Sequence, residues 1–458
     1  MNYLLKKIAF TTILTVACYT QYVWCSELFD DELGQSSENI ETKAAHLFGH
    51  AKTLVMIYMA ADNDLRSFAI RNIRQLMNVG SQEPNLHLVV HLDIRDAQGV
   101  KITRRYYILK NDYIVLNEND PKTQHMDSGD PNTLINFISY AVDTFPAENY
   151  ILDFWDHGTG YLDPVQHNRT NITDIFSFNP TTHKLDLDRS GSNFYVWNED
   201  QRGVCWDQST KNYLTAQKLD YALNKCVTYM GKPFDIIAFD ACLMSMIEMA
   251  ELIAPYAKIM ISSEEAILGT GFNYETIFAP LKEKQMEIPY IAQHIINMFD
   301  EAYSRITQDY ELSAFDLSLT PAIIANINTV AILLKEMLAT QKKDTVKRAL
   351  KVARSNSIHF NEPGYIDLYD LYHNIRGQLN NFKTNAAPTR KGTLENALED
   401  GMSLIENYMI AHCAGSKLAH SGGVSIYFPE RMHSSYPNSQ FAHNYEWYNF
   451  LRAYLSLA

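Results

Sequence analysis

The stretch FDIIAFDACLMSM (residues 234–246) combines an apolar run, two carboxylates and a cysteine. Its first seven residues predict a short buried strand that ends at Asp240. The pattern beyond the strand predicts a helix over 242–256, with Cys242 in its first turn. A thiol at a helix N-terminus lies near free N–H groups and the positive end of the macrodipole, which favour the nucleophilic thiolate. The alternative interpretation of Cys242 is a small buried hydrophobe.

Short apolar runs alternate with amphipathic segments along the rest of the chain. The apolar runs predict strands at 53–61, 86–94, 150–156, 234–240, 258–264, 312–317 and 422–428. Helical patterns lie at 64–79, 131–146, 214–228, 242–256, 288–306, 320–340 and 393–413. This alternation predicts an α/β protein whose mostly parallel sheet carries helices on both faces. Sites in such sheets form at the carboxyl ends of strands, where His157 and Cys242 both follow an apolar run.

Composition and charge narrow the class of protein. The 458 residues are 46% hydrophobic and 20% charged, which is typical of a folded globular chain. The formal net charge of −14 argues against nucleic-acid binding, which normally needs a basic face. The charge is compatible with attraction for basic substrates. No segment beyond the N-terminus is a long uninterrupted apolar run, so we expect no membrane span.

The N-terminus has the pattern of an export signal. MNYLLKK supplies positive charge, and IAFTTILTVACY supplies an apolar core that is too short to span a bilayer. We therefore expect a signal peptide at 1–26, a linker or pro-segment at 27–50, and a secreted or periplasmic protein of bacterial type. TVAC, ending at Cys18, also resembles a bacterial lipoprotein box, although Thr15 stands where Leu is usual.

Four cysteines remain after such a signal is removed: Cys205, Cys226, Cys242 and Cys413. They are too sparse for a disulfide scaffold and lack the spacing of a zinc site. One disulfide among them and a free functional thiol are the two interpretations left open.

A histidine follows another predicted strand in the segment FWDHGTGY (154–161). Gly158, directly after His157, would let a backbone N–H approach a substrate oxygen closely. Alone, a histidine in this position is more often an ordinary turn residue. Together with Cys242 at a neighbouring strand end, it would supply the general acid that protonates a leaving amine.

Several blocks resemble, in order, the clostripain family of cysteine peptidases, whose clan includes caspases, gingipains, legumains and separases. The blocks are VMIYMAADNDL (55–65), FWDHGTGY (154–161), GVCWDQSTKNYLT (203–215), FDIIAFDACLMSMIEMAELI (234–253), SSEEAILGTGFNY (262–274), YIDLYDL (365–371) and SGGVSIYFP (421–429). The resemblance implies a caspase-like α/β/α sandwich with a mostly parallel central sheet and a C-terminal helical and strand extension. It places the peptidase core at 51–320 and the C-terminal part of the same unit at 321–458.

The same resemblance implies a reaction and a set of residues. His157 and Cys242 would form the catalytic dyad, and the backbone N–H groups of Gly158 and Cys242 would form the oxyanion hole. Peptide bonds would be hydrolysed after Arg or Lys, with Asp240 in the pocket for the basic side chain. The alternative role of Asp240 is to cap a helix that begins near Ala241.

The sequence departs from the family in the loop GTG. Relatives often carry an acidic residue between these two glycines, and here Thr270 occupies that position. Glu264 or Glu265 would then supply the second carboxylate, or the preference for Arg and Lys would be weaker. Both glutamates are equally interpreted as solvated loop residues.

The polar segment 162–203 lies between the histidine and cysteine blocks, where relatives are cut during self-activation. Arg189 and Arg202 are the candidate processing sites, and the alternative is an ordinary insertion that is never cut. The chemistry itself needs no cofactor. The resemblance makes calcium a candidate, although DLDRSGSN (186–193) only faintly suggests a calcium loop.

The sequence thus predicts a secreted, monomeric cysteine endopeptidase whose partners are protein or peptide substrates with basic residues. Two alternatives remain: a secreted binding protein on an inactive peptidase scaffold, and a cysteine hydrolase that acts on another amide.

Overall fold

The computed structural model describes residues 48–96, 98–117, 119–162, 175–188, 203–340, 343–382 and 388–456. The predicted signal peptide and most of the segment 27–50 lie outside these residues. So do both candidate processing sites, Arg189 and Arg202.

Fifteen strands are present in the described residues. They are β1 (Ala51–Ala61), β2 (Leu86–Arg95), β3 (Lys101–Leu109), β4 (Asp112–Val115), β5 (Ala147–Trp155), β6 (Phe176–Asn179), β7 (Lys184–Leu187), β8 (Val204–Asp207), β9 (Asn212–Leu214), β10 (Phe234–Asp240), β11 (Ala257–Ser262), β12 (Glu311–Asp316), β13 (Tyr365–Asp367), β14 (Met409–Ala414) and β15 (Ser425–Tyr427).

Twelve α-helices accompany them in the same part of the chain. They are α1 (Arg66–Val79), α2 (Pro131–Thr144), α3 (Ala216–Met230), α4 (Ile247–Ile253), α5 (Tyr274–Glu283), α6 (Ile288–Tyr303), α7 (Thr320–Leu338), α8 (Lys343–Asn356), α9 (Leu368–Gln378), α10 (Pro388–Tyr408), α11 (Gln440–Asn444) and α12 (Glu446–Leu455).

Nine of the strands form one sheet in the order β14-β12-β11-β10-β5-β1-β2-β3-β4. Its five central strands, β11 to β2, run parallel, and both flanks are antiparallel. The central strands are almost continuously buried, as expected for parallel strands covered on both faces. The mostly parallel α/β sandwich predicted from the sequence is confirmed.

Alternating side chains of β5 show which helices cover each face. Phe154 packs toward Tyr58 of β1, which in turn contacts Phe137 of α2. Trp155 points the other way and donates its indole N–H to Asn72 of α1. Because neighbouring residues of a strand face opposite sides, α1 and α2 lie on opposite faces of the sheet.

The C-terminal part contributes to the sheet and to the region behind it. β14 pairs with β12, and β13 pairs with β15 in a separate two-stranded sheet. Helix α7 lies within Leu317–Leu338, a segment long and apolar enough to cross a membrane by length and composition alone. In the structure α7 packs against α10 and α12, and its Ile323, Ile327 and Leu334 side chains are buried, as in a core helix.

Three sequence-based boundaries were wrong. The helix predicted over 242–256 begins only at Ile247, and the pattern at 393–413 splits into the end of α10 and the strand β14. The run 422–428 forms β15, which lies outside the main sheet. The strands β3 and β4 and the helices α5, α8 and α9 were not anticipated.

Candidate active site

The His157 and Cys242 segments follow neighbouring parallel strands. Trp155 of β5 pairs with Asp240 of β10, and the Asp156 N–H donates to the Asp240 carbonyl oxygen at 3.4 Å. A Cβ atom at Gly158 would lie 2.3 Å from the Cys242 carbonyl oxygen. Only glycine therefore allows these two backbones to approach so closely. The sheet brings the histidine and cysteine segments together at one edge, as the sequence predicts.

Cys242 lies in an irregular turn and not in a helix. Leu243 adopts a left-handed conformation with φ of 62°, which is incompatible with a continuous helix. The turn is held by backbone hydrogen bonds from Ser245 N–H to Ser263 and from Ser425 N–H to Ser245, both 2.9 Å. The prediction that a helix macrodipole acts on Cys242 is therefore wrong, because α4 starts five residues further on. The alternative in which Asp240 caps a helix near Ala241 is wrong for the same reason.

The Cys242 thiol contacts the loop that follows β11. The Ile267 N–H donates to its sulfur at 3.2 Å, and the sulfur lies 3.6 Å from the Ile267 carbonyl oxygen. An N–H donor stabilises a thiolate more than a thiol. Cys242 is only 2% exposed. All four cysteines in the described residues are free thiols, so no disulfide engages Cys242.

Asp64 is a partner of His157 that the sequence reasoning missed. Its Oδ1 lies 2.8 Å from Nε2 of the buried imidazole, while the Asp64 side chain is 41% exposed. Burial alone would raise the pKa of Asp64, but the charge and hydrogen bond of His157 outweigh it and lower the pKa. The signal that could have found Asp64 is its place at the carboxyl end of β1, the neighbour of β5 in the sheet.

A hairpin of β8 and β9 is fastened beside these strand ends by acidic side chains. Asp156 accepts a hydrogen bond from the Trp206 N–H, and Asp62 accepts one from the Ser209 N–H at 2.9 Å. Asp207 pairs with Lys101 of β3 and accepts from the Ser128 N–H at 3.2 Å. These contacts give Asp207 a structural role, in keeping with the more conservative interpretation of the CWD segment.

Two carboxyl groups lie beneath the cysteine turn, and we call Asp153 and Asp240 the pocket carboxyls. The Tyr274 hydroxyl bridges them, 2.5 Å from Asp153 Oδ2 and 3.1 Å from Asp240 Oδ2. Asp240 is 5% exposed and Asp153 is 2% exposed. Burial raises the pKa of Asp240 to about 7. Burial, and then the charge of Asp240, raise the pKa of Asp153 well above its usual value.

The GTG loop covers Asp240. Gly271 has φ of 58°, and a Cβ atom there would lie 2.4 Å from Asp240 Oδ2. The Phe272 N–H donates to the same oxygen at 2.9 Å. Asn72 of α1 holds the loop through the carbonyl oxygens of Thr270 and Phe272 at 3.4 and 3.3 Å. Thr270 thus lies beside the pocket carboxyls, as its place in the sequence suggests, but it brings no charge.

Glu264 lies elsewhere, in a group with Glu311 and Asp367 that we call the edge carboxyls. The Glu264 N–H donates to Glu311 Oε2 at 2.6 Å, and Asp367 accepts from the Gly422 N–H at 2.6 Å. Burial is the main cause that raises the pKa of Glu311 to about 8, that of Asp367 to about 7, and that of Glu264 well above its usual value. The contacts of Glu264 therefore join it to the edge carboxyls.

The interpretation of Glu264 and Glu265 as solvated loop residues is therefore wrong, because both are fully buried. Glu265 accepts hydrogen bonds from the N–H groups of Ala266 and Asn361 at 2.8 and 3.0 Å. Neither glutamate is placed beside the pocket carboxyls to replace the acid that Thr270 lacks.

Residues 186–188 of the candidate calcium loop lie in the described part of the chain. Asp186 pairs with Lys417 at 2.9 Å and accepts a hydrogen bond from Asn179 at 2.7 Å, so it already has a cationic partner. Within the described ranges, no group of three or more His, Cys, Asp or Glu side chains could hold a metal ion.

Comparison with known proteins places this geometry in a family. The family model for the clostripain family matches residues 57–179 and 190–454. The chain belongs to the clostripain family. Clostripain of Hathewaya histolytica is 22% identical to it over 525 residues of alignment, which cover 97% of this chain and 90% of clostripain. As a clostripain-family member, the protein is a cysteine-type endopeptidase that acts on protein or peptide substrates.

Solved structures share the fold of this clostripain-family chain. A secreted C11 cysteine protease from Bacteroides thetaiotaomicron, bound to an irreversible peptide inhibitor, matches with a TM-score of 0.57 and 20% identity, covering 88% of this chain and 99% of that one. An inactive zymogen C11 protease from Parabacteroides distasonis matches with a TM-score of 0.54 and 21% identity, over 88% and 98% of the two chains. The caspase-like fold class is confirmed.

Proposed function

We propose that this clostripain-family endopeptidase is secreted and cleaves peptide bonds after Arg or Lys through a dyad of His157 and Cys242. The observation that carries the proposal is the pairing of β5 with β10. It sets the Gly158 backbone against Cys242 and leaves a buried carboxyl group, Asp240, directly beneath.

The acylation step begins with the Cys242 sulfur. It gives its proton to His157 and attacks the scissile carbonyl carbon as a thiolate, and the electron pair of the C=O bond moves onto oxygen to form a tetrahedral oxyanion. The backbone N–H groups of Gly158 and Cys242 stabilise this charge. Support comes from the close backbone approach at Gly158, which a side chain would prevent.

Collapse of the intermediate breaks the C–N bond, and His157 gives a proton to the departing amine. Water then attacks the thioester with His157 as general base, which releases the acid and restores the thiol. Nε2 faces Asp64, so Nδ1 is the nitrogen that transfers protons in this mechanism. Asp64 is a positioning residue that fixes the tautomer and stabilises the imidazolium.

The specificity follows from charge in a buried place. A carboxylate out of water is costly unless it is paired, and a substrate guanidinium or ammonium group supplies the partner. Asp240 Oδ1 is buried and makes no hydrogen bond of normal geometry to the described residues. A neutral substrate side chain would leave this oxygen unpaired, and this favours Arg and Lys.

Self-activation by a cut at Arg189 or Arg202 is part of the proposal. Its support is that Cys242 and Asp240 are almost completely buried, so an activating rearrangement would have to expose them. A protein of similar fold is described as an inactive zymogen. Export is supported by the charged and apolar N-terminal segments, and another structural neighbour is described as secreted.

The proposal is tested by intact-mass spectrometry of the purified wild-type protein and the Cys242→Ala variant. Cleavage between residues 162 and 203 in the wild type alone, after Arg189 or Arg202, would establish activity, self-processing and preference together. An arginyl acyloxymethyl ketone should label activated wild type on Cys242. No label and no peptide hydrolysis would instead favour a binding protein on a peptidase scaffold. Hydrolysis of other amides, but not of peptides, would favour the alternative hydrolase.

Two further parts of the proposal concern cofactor and assembly. The chemistry requires no metal, so activity should survive treatment with EDTA unless calcium supports the fold. A loss of activity that calcium restores would show dependence on calcium. The activated enzyme should elute as a monomer, which light scattering during gel filtration can measure.

A further inference from the structure

The pocket carboxyls form a pair that is linked through one hydroxyl group. In the register of β5 and β10, Asp153 pairs with Ala238, and Asp240 pairs with Trp155. Asp153 and Trp155 share one face of the sheet because side chains alternate along a strand. Asp153 therefore lies two residues, roughly 7 Å, further along the strands from the cysteine turn than Asp240 does.

Each pocket carboxyl leaves an oxygen without a normal hydrogen bond. Oδ1 of Asp153 and Oδ1 of Asp240 are buried and have no such partner among the described residues, although the Asp240 backbone N–H contributes a weak contact to the Asp153 carboxyl group. Tyr274 uses its hydroxyl on the two Oδ2 atoms. Two adjacent buried carboxyl groups cannot both ionise easily unless a cation joins them.

The depth of the pair matches the reach of a long basic side chain. Such a side chain would pass Asp240 beside the cysteine turn and extend toward the Tyr274 hydroxyl and Asp153. The described groups that contact the two carboxyls are neutral. They are the Phe272 N–H, the Tyr274 hydroxyl and the backbone of Gly271. The GTG loop carries the uncharged Thr270, so the loop does not supply a second negative charge.

We propose that Asp153 is a specificity-determining residue, the second carboxylate that binds the basic side chain N-terminal to the scissile bond. This inference rests on the proposed cleavage after Arg or Lys. Asp153 takes the place of the acid missing from the loop, but it reaches the pocket from the strand below. Entry of a guanidinium or ammonium group expels the protons that the pair otherwise keeps.

The competing explanation is that Asp153 only anchors Tyr274. The test uses activated enzyme and three peptides that differ only in Arg, Lys or citrulline before the scissile bond. Citrulline has nearly the shape of Arg without its charge. Asp153→Asn keeps an acceptor for Tyr274 and removes the charge. We expect kcat/KM for Arg and Lys peptides to fall about ten- to a hundredfold, as for a lost contact to a buried cation, while the citrulline value stays constant.

Two further variants separate charge from shape. Tyr274→Phe removes the bridge but keeps both carboxyls, so the Arg-to-citrulline ratio should stay within a few fold of wild type. Glu311→Gln neutralises a buried carboxyl group among the edge carboxyls and should leave the ratio unchanged. A Tyr274→Phe ratio as low as that of Asp153→Asn, or an Asp153→Asn ratio equal to wild type, would overturn the role of Asp153.

A measurement on wild type alone covers the case in which Asp153→Asn does not fold. Calorimetry of a peptidyl argininal and the matched citrullinal, in two buffers of different ionisation enthalpy at pH 5.5, counts the protons released. Protons linked to the thiol and imidazole cancel between the two inhibitors. If the argininal releases about two protons more than the citrullinal, two carboxyl groups ionise around the cation, which supports the proposal. A difference of about one proton would mean that only Asp240 ionises, and it would overturn the proposal. Wild type that cleaves without preference for Arg or Lys would instead refute the proposed function itself.

Discussion

The pocket carboxyls and the edge carboxyls are both buried, but they lie at different places on the sheet. Asp153 and Asp240 lie in the central strands β5 and β10, below the turn that carries Cys242. Glu311 and Glu264 lie where β12 meets the end of β11, and Asp367 and Gly422 of the C-terminal part cover them. In the proposed mechanism the first group faces the substrate, whereas the second joins two parts of the chain.

This difference shows that burial and raised pKa values do not by themselves identify a substrate pocket. The Glu264 oxygens also lack hydrogen bonds of normal geometry to the described residues, yet the C-terminal part closes over that site. Position relative to the thiol and imidazole separates the two groups. We therefore expect neutralisation of a pocket carboxyl to change specificity, and neutralisation of an edge carboxyl to change stability.

The largest effect is expected from Asp240→Asn. Kinetics with the Arg and citrulline peptides should show about a hundredfold or greater loss of kcat/KM for Arg only, because a buried cation loses its nearest charged partner. Labelling of Cys242 by iodoacetamide should persist, which controls for folding of the turn. An equal loss of kcat/KM for both peptides would show that Asp240 does not bind the basic side chain. The pocket carboxyls would then not differ from the edge carboxyls in their effect on specificity.

The pH dependence of specificity should have the next largest effect. With the pKa of Asp240 at about 7, its carboxylate is present above pH 7 and is lost as the pH falls. The Arg-to-citrulline ratio of kcat/KM should fall at least tenfold for each pH unit below 7, and up to a hundredfold where binding of the cation must also ionise Asp153. Comparing the ratio between pH 5 and pH 9 removes the pH effects that the two peptides share. A flat ratio would contradict a titrating carboxylate in the pocket.

A smaller change is expected when Asp64 is replaced by Asn. Loss of the charge that stabilises the imidazolium should lower kcat by about ten- to a hundredfold, the usual range for general acid–base assistance, with little change in KM. The acid limb of the pH–kcat profile should move to lower pH, which a purely structural role would not produce. In a His157→Ala background, the same substitution should have no further effect, since partners that act as a unit are not additive.

The edge carboxyls should affect the free energy of unfolding and its dependence on pH. The pKa of Glu311 is raised from 4.5 to about 8, so its stabilising contribution is complete below pH 4.5 and is lost as the pH rises through 8. Wild type should therefore lose up to about 1.4 kcal/mol per pH unit across this window relative to Glu311→Gln. Urea unfolding of both proteins at pH 5 and pH 9 measures the difference. Equal pH dependence in the two proteins would show that Glu311 does not titrate on unfolding.

Much of the fold could be predicted from the local pattern of apolar residues in the sequence. The run FDIIAFD became β10 with the expected bounds, because five of its seven residues are apolar and a run of this length favours a buried strand over a helix. The meeting of the His157 and Cys242 segments also followed, since carboxyl ends of adjacent parallel strands share an edge. What the pattern could not give was the left-handed Leu243, which breaks the helix before it starts.

Long-range contacts account for most of what was missed. Asp64 meets His157 across 93 positions, and Tyr274 reaches Asp153 across 121. Helix α8 was missed because its sequence is rich in basic residues. Its buried Val346, Leu350 and Ala353 nevertheless form one face of an amphipathic helix. Lys101, Arg104 and Arg105 give β3 a basic sequence, so this antiparallel flank resembled a surface segment although most of its residues are buried.

The pairing of β5 with β10 also determines what a cut in the segment 189–202 would leave behind. The strand that precedes His157 would belong to the first fragment, and the strand that precedes Cys242 to the second, yet the two remain neighbours in one sheet. The β8–β9 hairpin, fastened to Asp62, Asp156 and Lys101, would tie the new end of the second fragment to the first. Neither fragment would contain both His157 and Cys242, so the catalytic centre would need both fragments. The matured enzyme would give two bands on a denaturing gel and one mass under native conditions.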